Sequence, residues 1–318
     1  SNSTNFSGSS TGNGAKAVST HWNSIKSFDY FKNTFNRNSI DGVGGNILAF
    51  FNVAELNASG NPVSMENAFW NGAAMWYGNG GSTFKELARG LDVGGHEMTH
   101  GVVEKTANLI YQNESGALNE SFADIFGAMI DRDDWLIGED VMQNTPGLPN
   151  ALRNMQDPHN NSPQGSSWWQ PKNVSEQFTG TGDNGGVHIN SGIPNYAYYL
   201  FASNATVGKD KAEQVFYKAL KDYLVKSSKF VDLRIAVIQA ATDLYPSGNT
   251  VANAAAAAFT QVGILGSSPG GNYLGQLTVN PGTDYMLCVT NDFQDIEVRN
   301  GNGQFIATIY DQGVLSRP

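Results

Sequence analysis

Apolar positions between Ala15 and Phe35 recur every three or four residues (Val18, Trp22, Ile25, Phe28, Phe31, Phe35), so this segment predicts an amphipathic helix. Residues 1–14 before it (SNSTNFSGSSTGNG) are polar and rich in Gly and Ser, as in an extended or mobile start. The run NILAFFNVAELN (46–57) predicts a strand and Asn61-Pro62 a turn. NAFWNGAAMWYGNGG (67–81) alternates as a hairpin does. From Leu91 the period becomes helical, over 91–106, 115–131, 187–203, 209–226, 230–245 and 250–262. The intervening stretch 133–186 is rich in Gly, Pro and Asn without a period, and irregular connections of that length are commonly functional. Beyond Gly266, SSPGG reads as a linker, and 273–310 alternates as short strands with NGNG (300–303) as a hairpin turn. A β-rich part and a helical part predict an α+β chain of two lobes. Its 318 residues also exceed the roughly 250–300 at which single cores stop growing.

Composition narrows the classes. With 40% hydrophobic residues, including 17 Phe, 12 Tyr and 6 Trp, the chain can fill a core and is not disordered. A net charge of −10 argues against nucleic acid or a membrane surface as partner, since both call for clustered Lys and Arg. No apolar run approaches the roughly 20 residues of a membrane span. Cys288, the single cysteine, cannot form an intrachain disulfide and leaves the redox compartment open. Abundant Gly, Asn, Ser and Thr with little Lys suits a secreted bacterial enzyme. The chain shows neither an initiator Met nor a signal peptide, as expected of a processed or recombinant form.

The sharpest chemical signal is His96-Glu97-Met98-Thr99-His100. Helix positions i and i+4 project from one face, so both imidazoles can reach one zinc ion at about 2.0–2.1 Å. Glu97 stands beside them, where a carboxylate can take a proton from a metal-activated water. Alone, the pattern also suits a solvated helix face. Its setting argues otherwise: DVGGHEMTH carries two glycines inside the helix, each costing roughly 0.5–1 kcal/mol relative to Ala, and close approach to another group would explain them. In GALNESFADIFG, Asn119-Glu120 and Asp124 fall at helical spacing. Glu120 can be a third ligand that leaves the fourth tetrahedral position open, the catalytic arrangement. Asp124, one turn on, suits an acceptor that orients a ligand histidine.

The runs HEMTH…NLIYQNESGALNESFADIFG, LRNMQDP and GTGDNGGVHINSGIPNYAYYL together resemble the thermolysin-like neutral metalloproteases, over nearly all of residues 15–264. The resemblance implies a secreted, monomeric endopeptidase, dependent on Zn2+ and stabilised by Ca2+, and made as a zymogen whose propeptide is an early partner. It implies a two-lobed fold with the zinc helix on the floor of the cleft. Protein and peptide substrates would be cut on the N-terminal side of bulky hydrophobic residues. Carried over by position, His96, His100 and Glu120 match the zinc ligands and Glu97 the general base. His188 matches the histidine that stabilises the oxyanion, Asp183 the residue that holds its ring, and Tyr111 a second donor. Asn67 and the Ala68 backbone match the edge that hydrogen-bonds an extended substrate, and Arg153 the arginine that grips a substrate carbonyl. Taken singly, His188 would read as a surface histidine, Arg153 as a solvated charge and Asp183 as a turn residue; their roles come from the resemblance.

The resemblance also implies a primary pocket from Phe84, Leu87, Val93, Ile137, Val141 and Leu152, all apolar. Asp92, Asp131, Asp134, Glu139 and the Leu136 carbonyl match the main calcium site, and hard oxygen ligands suit that ion. Asp131 stands where the family carries Glu. Leu136 replaces an acidic side chain found where two ions sit together, so one calcium is expected. Asn150 stands where calcium-binding members have Asp, which argues against a second site there.

Family members end near Gly263-Ile264 and open with a β-rich segment that would precede Ser1. The tail from GGNYLGQLTV to IYDQG resembles that segment and would restore the family's order if moved to the front. A circular permutant is therefore expected, with an unrelated β appendage as the alternative. The lobes would be 1–90 with 270–318, and 91–265. A non-catalytic binding protein on this scaffold would have lost Glu97, His188 or a zinc ligand. An aminopeptidase would need acidic groups for a free amine, and NAFW is flanked only by Glu66.

Overall fold

The computed structural model describes residues 13–266 and, in the tail, the strands at 285–289, 295–300 and 305–311. Helix α1 (Asn13–Phe35) forms where the apolar period requires one. Its buried face differs from the predicted stripe. Val18, Trp22 and Ile25 are exposed, whereas Ala17, Thr20, Asn23, Ser27 and Phe31 are buried. Tertiary hydrogen bonding accounts for Asn23: its amide donates to the Ala88 and Gly90 carbonyls at 3.0 and 2.8 Å, so a polar residue is satisfied inside.

Strands β1 (Ala49–Leu56), β2 (Pro62–Ser64), β3 (Ala68–Trp70) and β4 (Met75–Gly78) make one sheet in the order β2-β1-β4-β3. The expected hairpin is the antiparallel pair β3–β4, with Phe69 opposite Trp76. The parallel pairing of β1 with β4 is a crossover the sequence does not announce. It leaves β3 at the sheet edge, with backbone groups open to an extended partner.

Helices α2 (Leu91–Glu104) and α3 (Asn113–Ile130) are the centre of the helical part, and α3 is buried from Ser115 to Met129. The glycines of DVGGHEMTH set their separation. A Cβ on Gly95 would meet Ile130 Cδ1 at 2.7 Å and the Gly127 Cα at 3.2 Å, and one on Gly127 would meet the Asp92 carbonyl at 2.8 Å. A Cβ on Gly94 would likewise meet Asn23 Cβ of α1 at 2.6 Å. Five further helices follow: α4 (Gly182–Asn190), α5 (Gly192–Ala202), α6 (Gly208–Asp222), α7 (Phe230–Leu244) and α8 (Thr250–Gln261). The predicted helix over 187–203 is thus two helices that meet at Ser191. The irregular stretch holds a short antiparallel ladder, β5 (Leu136–Ile137) with β6 (Arg153–Asn154), too brief to show as a period.

Contacts divide the chain into two compact units, Ser1–Ile264 and Leu265–Pro318. In the second, β7 (Tyr285–Val289), β8 (Asp295–Asn300) and β9 (Phe305–Asp311) form an antiparallel sheet in that order, as the alternation predicts. These strands make a sheet of their own, and the expectation that Ser1 approaches Pro318 rests on residues outside the described set.

Candidate active site

Close packing of α2 on α3 brings His96 and His100 to Glu120. The two histidine Nε2 atoms lie 3.0 Å apart, and each is 3.5 Å from a Glu120 carboxylate oxygen. The opposite nitrogen of each ring is held. His96 Nδ1 lies 2.9 Å from Asp124 Oδ1, and His100 Nδ1 lies 2.8 Å from Asn119 Oδ1, whose own amide donates to the Leu109 carbonyl at 3.2 Å. Acceptors on Nδ1 require the proton there, so both Nε2 lone pairs point at the same spot. Two lone pairs 3.0 Å apart repel unless a cation lies between them. Glu120 Oε2 and Glu97 Oε2 are buried without a hydrogen-bond partner. Two neutral nitrogens, one carboxylate and an orphaned oxygen fit a zinc ion.

Burial dominates the electrostatics. It pushes Glu97 up to about 7, and the Glu120 charge adds to the effect while His96 opposes it. Burial likewise pulls His100 down to about 4, which keeps it neutral and able to bind a metal. Burial acts to lower His96 as well, but the Asp124 hydrogen bond and charge raise it. At Glu120 and Asp124 burial would raise the pKa, and neighbouring positive charge outweighs it. The three histidines and Arg153 bring Glu120 down to about 2, and Arg153 and His96 hold Asp124 well below the carboxylate range. Asp124 accepts four hydrogen bonds: one from His96, two from Arg153 Nε and Nη2 at 2.8 and 2.6 Å, and one from Asn195 at 2.8 Å.

Tyr111 and His188 stand beside this group. The Tyr111 hydroxyl bonds to Glu120 Oε1 and lies 3.0 Å from His188 Nε2. Burial and the Glu120 charge raise the phenol well above its ordinary value, so it stays a proton donor. Asp183 grips His188 twice, at Nδ1 (2.6 Å) and at the backbone N–H (2.8 Å). A left-handed turn makes this reach possible: Asp183, Asn184, Gly185 and Gly186 all have positive φ, at 52, 49, 84 and 82°. Such backbone favours glycine and costs other residues about 1–3 kcal/mol. At Gly185 a Cβ would also strike Asn113 Oδ1 at 2.1 Å.

The group lines a cleft of about 1260 Å³ whose wall includes Asn67 and Ala68 at the β3 edge. All six apolar positions expected in the primary pocket, Phe84, Leu87, Val93, Ile137, Val141 and Leu152, line it, as does Arg153. Glu66 also reaches the cleft, but its carboxylate accepts the backbone N–H groups of Ser82, Thr83 and Phe84 and so fixes the loop that presents Phe84. Sequence reasoning left unassigned the partner role of Asn119, the Glu66 cradle and the Gln164–Gln170 wall. Only the first had a visible signal, its place next to a candidate ligand.

A second acidic group joins Asp92, Asp131 and Glu139, with ligand atoms within 4.8 Å of one another. Burial raises Asp92 to about 6, with the Asp131 charge adding to it, and raises Glu139 to about 8, with the Asp92 charge adding to it. Asp92 Oδ1 and Glu139 Oε2 have no hydrogen-bond partner. Asp134 is outside this trio: its Oδ1 accepts from the Leu136 N–H at 2.7 Å.

Residues 1–104 match the family description "Thermolysin metallopeptidase, catalytic domain" and residues 107–264 match "Thermolysin metallopeptidase, alpha-helical domain". The chain is 45% identical to Bacillolysin of Brevibacillus brevis over 258 residues, 78% of this chain and 46% of that protein. It is 43% identical to Neutral protease B of Bacillus subtilis over 269 residues, 81% of this chain and 47% of that one. It therefore spans about half the length of these relatives. Among solved structures it is similar to the precursor of protealysin, a metalloproteinase from Serratia proteamaculans, with TM-score 0.69 and 31% identity over 81% of each chain.

Proposed function

Since the chain belongs to the thermolysin metallopeptidase family, with its two-lobed α+β fold, we propose that it is a zinc endopeptidase cutting on the N-terminal side of bulky hydrophobic residues. The observation that carries this reading is the convergence of His96, His100 and Glu120 on one point in the cleft, with Glu97 beside them. Zinc held there would supply a Lewis acid and a water of lowered pKa. An extended peptide would pair with the β3 edge through Asn67 and the Ala68 backbone, placing the side chain after the cleaved bond among the six apolar wall residues. Glu97, with a pKa near neutrality and a free oxygen, takes the proton of the attacking water and returns it to the leaving amine. As the water adds, and before the amine leaves, charge develops on the carbonyl oxygen, where Tyr111 and His188 donate, with Asp183 keeping the His188 ring oriented. Arg153 uses Nε and Nη2 on Asp124, which leaves Nη1 for a substrate carbonyl. Casein digestion with and without a zinc chelator, with sequencing of the new amino termini, tests this. Hydrophobic residues at those termini are the expected result, and chelator-insensitive cleavage overturns it.

Calcium is the second ion proposed, bound by Asp92, Asp131 and Glu139, with Asp134 and the Leu136 carbonyl completing its oxygen shell. Two buried, unpartnered carboxylate oxygens in one cluster support it. Secretion, action as a monomer and maturation from a propeptide form belong to the same reading. The matched neighbour's designation as a precursor supports the last of these. No helix among the described residues is long and apolar enough to cross a membrane. We retain the tail as a displaced sheet segment on the same footing.

A further inference from the structure

One wall of the cleft comes from the loop between β6 and α4, and two consecutive tryptophans on it make different contacts. Trp168 meets Phe84 of the primary pocket edge-on, ring centroids 6.4 Å apart at 72°. Trp169 lines the cleft itself and is stacked on His159, 5.1 Å between centroids and 17° between planes. His159 is braced in turn, its Nε2 lying 3.2 Å from Glu176 Oε2, an oxygen that also accepts the Lys172 N–H at 2.9 Å.

Gln170 ties this loop down. Its N–H donates to the Pro158 carbonyl at 2.9 Å, which closes the loop on itself. Its buried side-chain amide donates to the His188 carbonyl at 2.6 Å and to Ser191 Oγ at 3.0 Å. The tryptophan plate is thus fixed to the helix that carries His188 on one side and to the primary pocket on the other. A rigid aromatic surface binds apolar groups with little ordering cost.

We propose that Trp169, stacked on His159, is a specificity-determining residue that forms a subsite for a bulky apolar side chain at the second position after the cleaved bond. The inference rests on the endopeptidase reading. Trp168 places the loop beside the pocket for the first such residue, and Trp169, its neighbour in the chain, lines the same cleft.

The test uses the full chain with zinc and calcium, and peptides that keep Leu after the cleaved bond while the next residue is Gly, Ala, Leu or Phe. The wild type is expected to prefer Phe and Leu over Gly. Trp169→Ala should reduce that ratio of kcat/KM about five- to ten-fold, mainly through KM. Trp169→Phe should restore most of the ratio, and His159→Ala should lose part of it. A wild type that cuts none of the peptides overturns the endopeptidase reading and the subsite with it. A wild type that cuts them while Trp169→Ala keeps its ratio overturns the subsite alone. Should Trp169→Ala fail to fold by circular dichroism, Trp169→Leu is read against Trp169→Phe by the same ratio, and equal ratios overturn the proposal.

Discussion

Asp124 is fully buried and serves two site residues at once, His96 through Nδ1 and Arg153 through a two-pronged ion pair. Removing its charge leaves a buried guanidinium uncompensated, which typically costs about 3–5 kcal/mol. Asp124→Ala should therefore lower stability by that order and weaken zinc binding about 10–100-fold, because the ligand ring loses its orienting acceptor. Competition with a zinc indicator and urea unfolding measure the two effects, and unchanged zinc affinity would contradict the orienting role. Glu97 differs in kind. It bonds to no ligand ring, so Glu97→Gln should keep zinc and the fold while lowering kcat about 10²–10⁴-fold. Comparable turnover in that variant would remove Glu97 from the mechanism.

Between elements, glycine decides the geometry. Gly127 lets α3 approach the Asp92 carbonyl of α2, and Glu120 rides on the same helix. Gly127→Ala would force the helices apart, at about 1–3 kcal/mol for overpacking. It should also weaken zinc binding although the added Cβ would meet only backbone atoms, the Asp92 carbonyl and the His96 N; a destabilised variant with full zinc affinity would show that the spacing is not critical. Elsewhere Glu213 of α6 joins α1 and the end of α3, bonding to the Tyr30 hydroxyl and to Arg132, each at 2.7 Å. Burial raises its pKa despite these partners. A raised folded pKa gives a contribution that is full below the unfolded value and lost as pH rises through the folded one. Relative to Glu213→Gln, the wild type should gain stability as pH falls from neutral towards about 4, its ordinary carboxyl range. Chemical denaturation of both at pH 7 and 4.5 checks the sign, and a constant difference contradicts it.

At the scale of the molecule, an ion that binds only the folded chain stabilises it by mass action, about 2.7 kcal/mol at one hundred times Kd. Calcium chelation should then lower the thermal midpoint by several degrees, taking about 2–4 °C per kcal/mol at this size. The Asp92→Asn variant should respond less; an equal response places the ion elsewhere. Residues 1–264 contain every candidate site residue, so the tail's contribution can be measured by deletion. If 265–318 is a displaced sheet segment, its removal should lower the midpoint and increase binding of a hydrophobic dye. No change in either would leave the appended-module alternative.

Local physics made much of this legible in the sequence. The i, i+4 histidines lie on a helix because the 91–104 pattern is helical, and the helical period of 113–130 puts Glu120 and Asp124, four residues apart, on successive turns. Such periodicities hold wherever the helix packs. The sequence also placed a strand pair at 67–81 through alternation alone. The close approach of α2 and α3 was hinted at only by paired glycines, since separation depends on what lies across the contact. Which face of α1 is buried, the parallel union of β1 with β4, the four-residue left-handed turn under His188 and the Asn119 brace on His100 depend on partners remote in the chain. The near-neutral pKa of Glu97 belongs with them. Burial and a neighbouring charge create it, and both are set by tertiary packing, because no residue's desolvation can be read from its own neighbours in sequence.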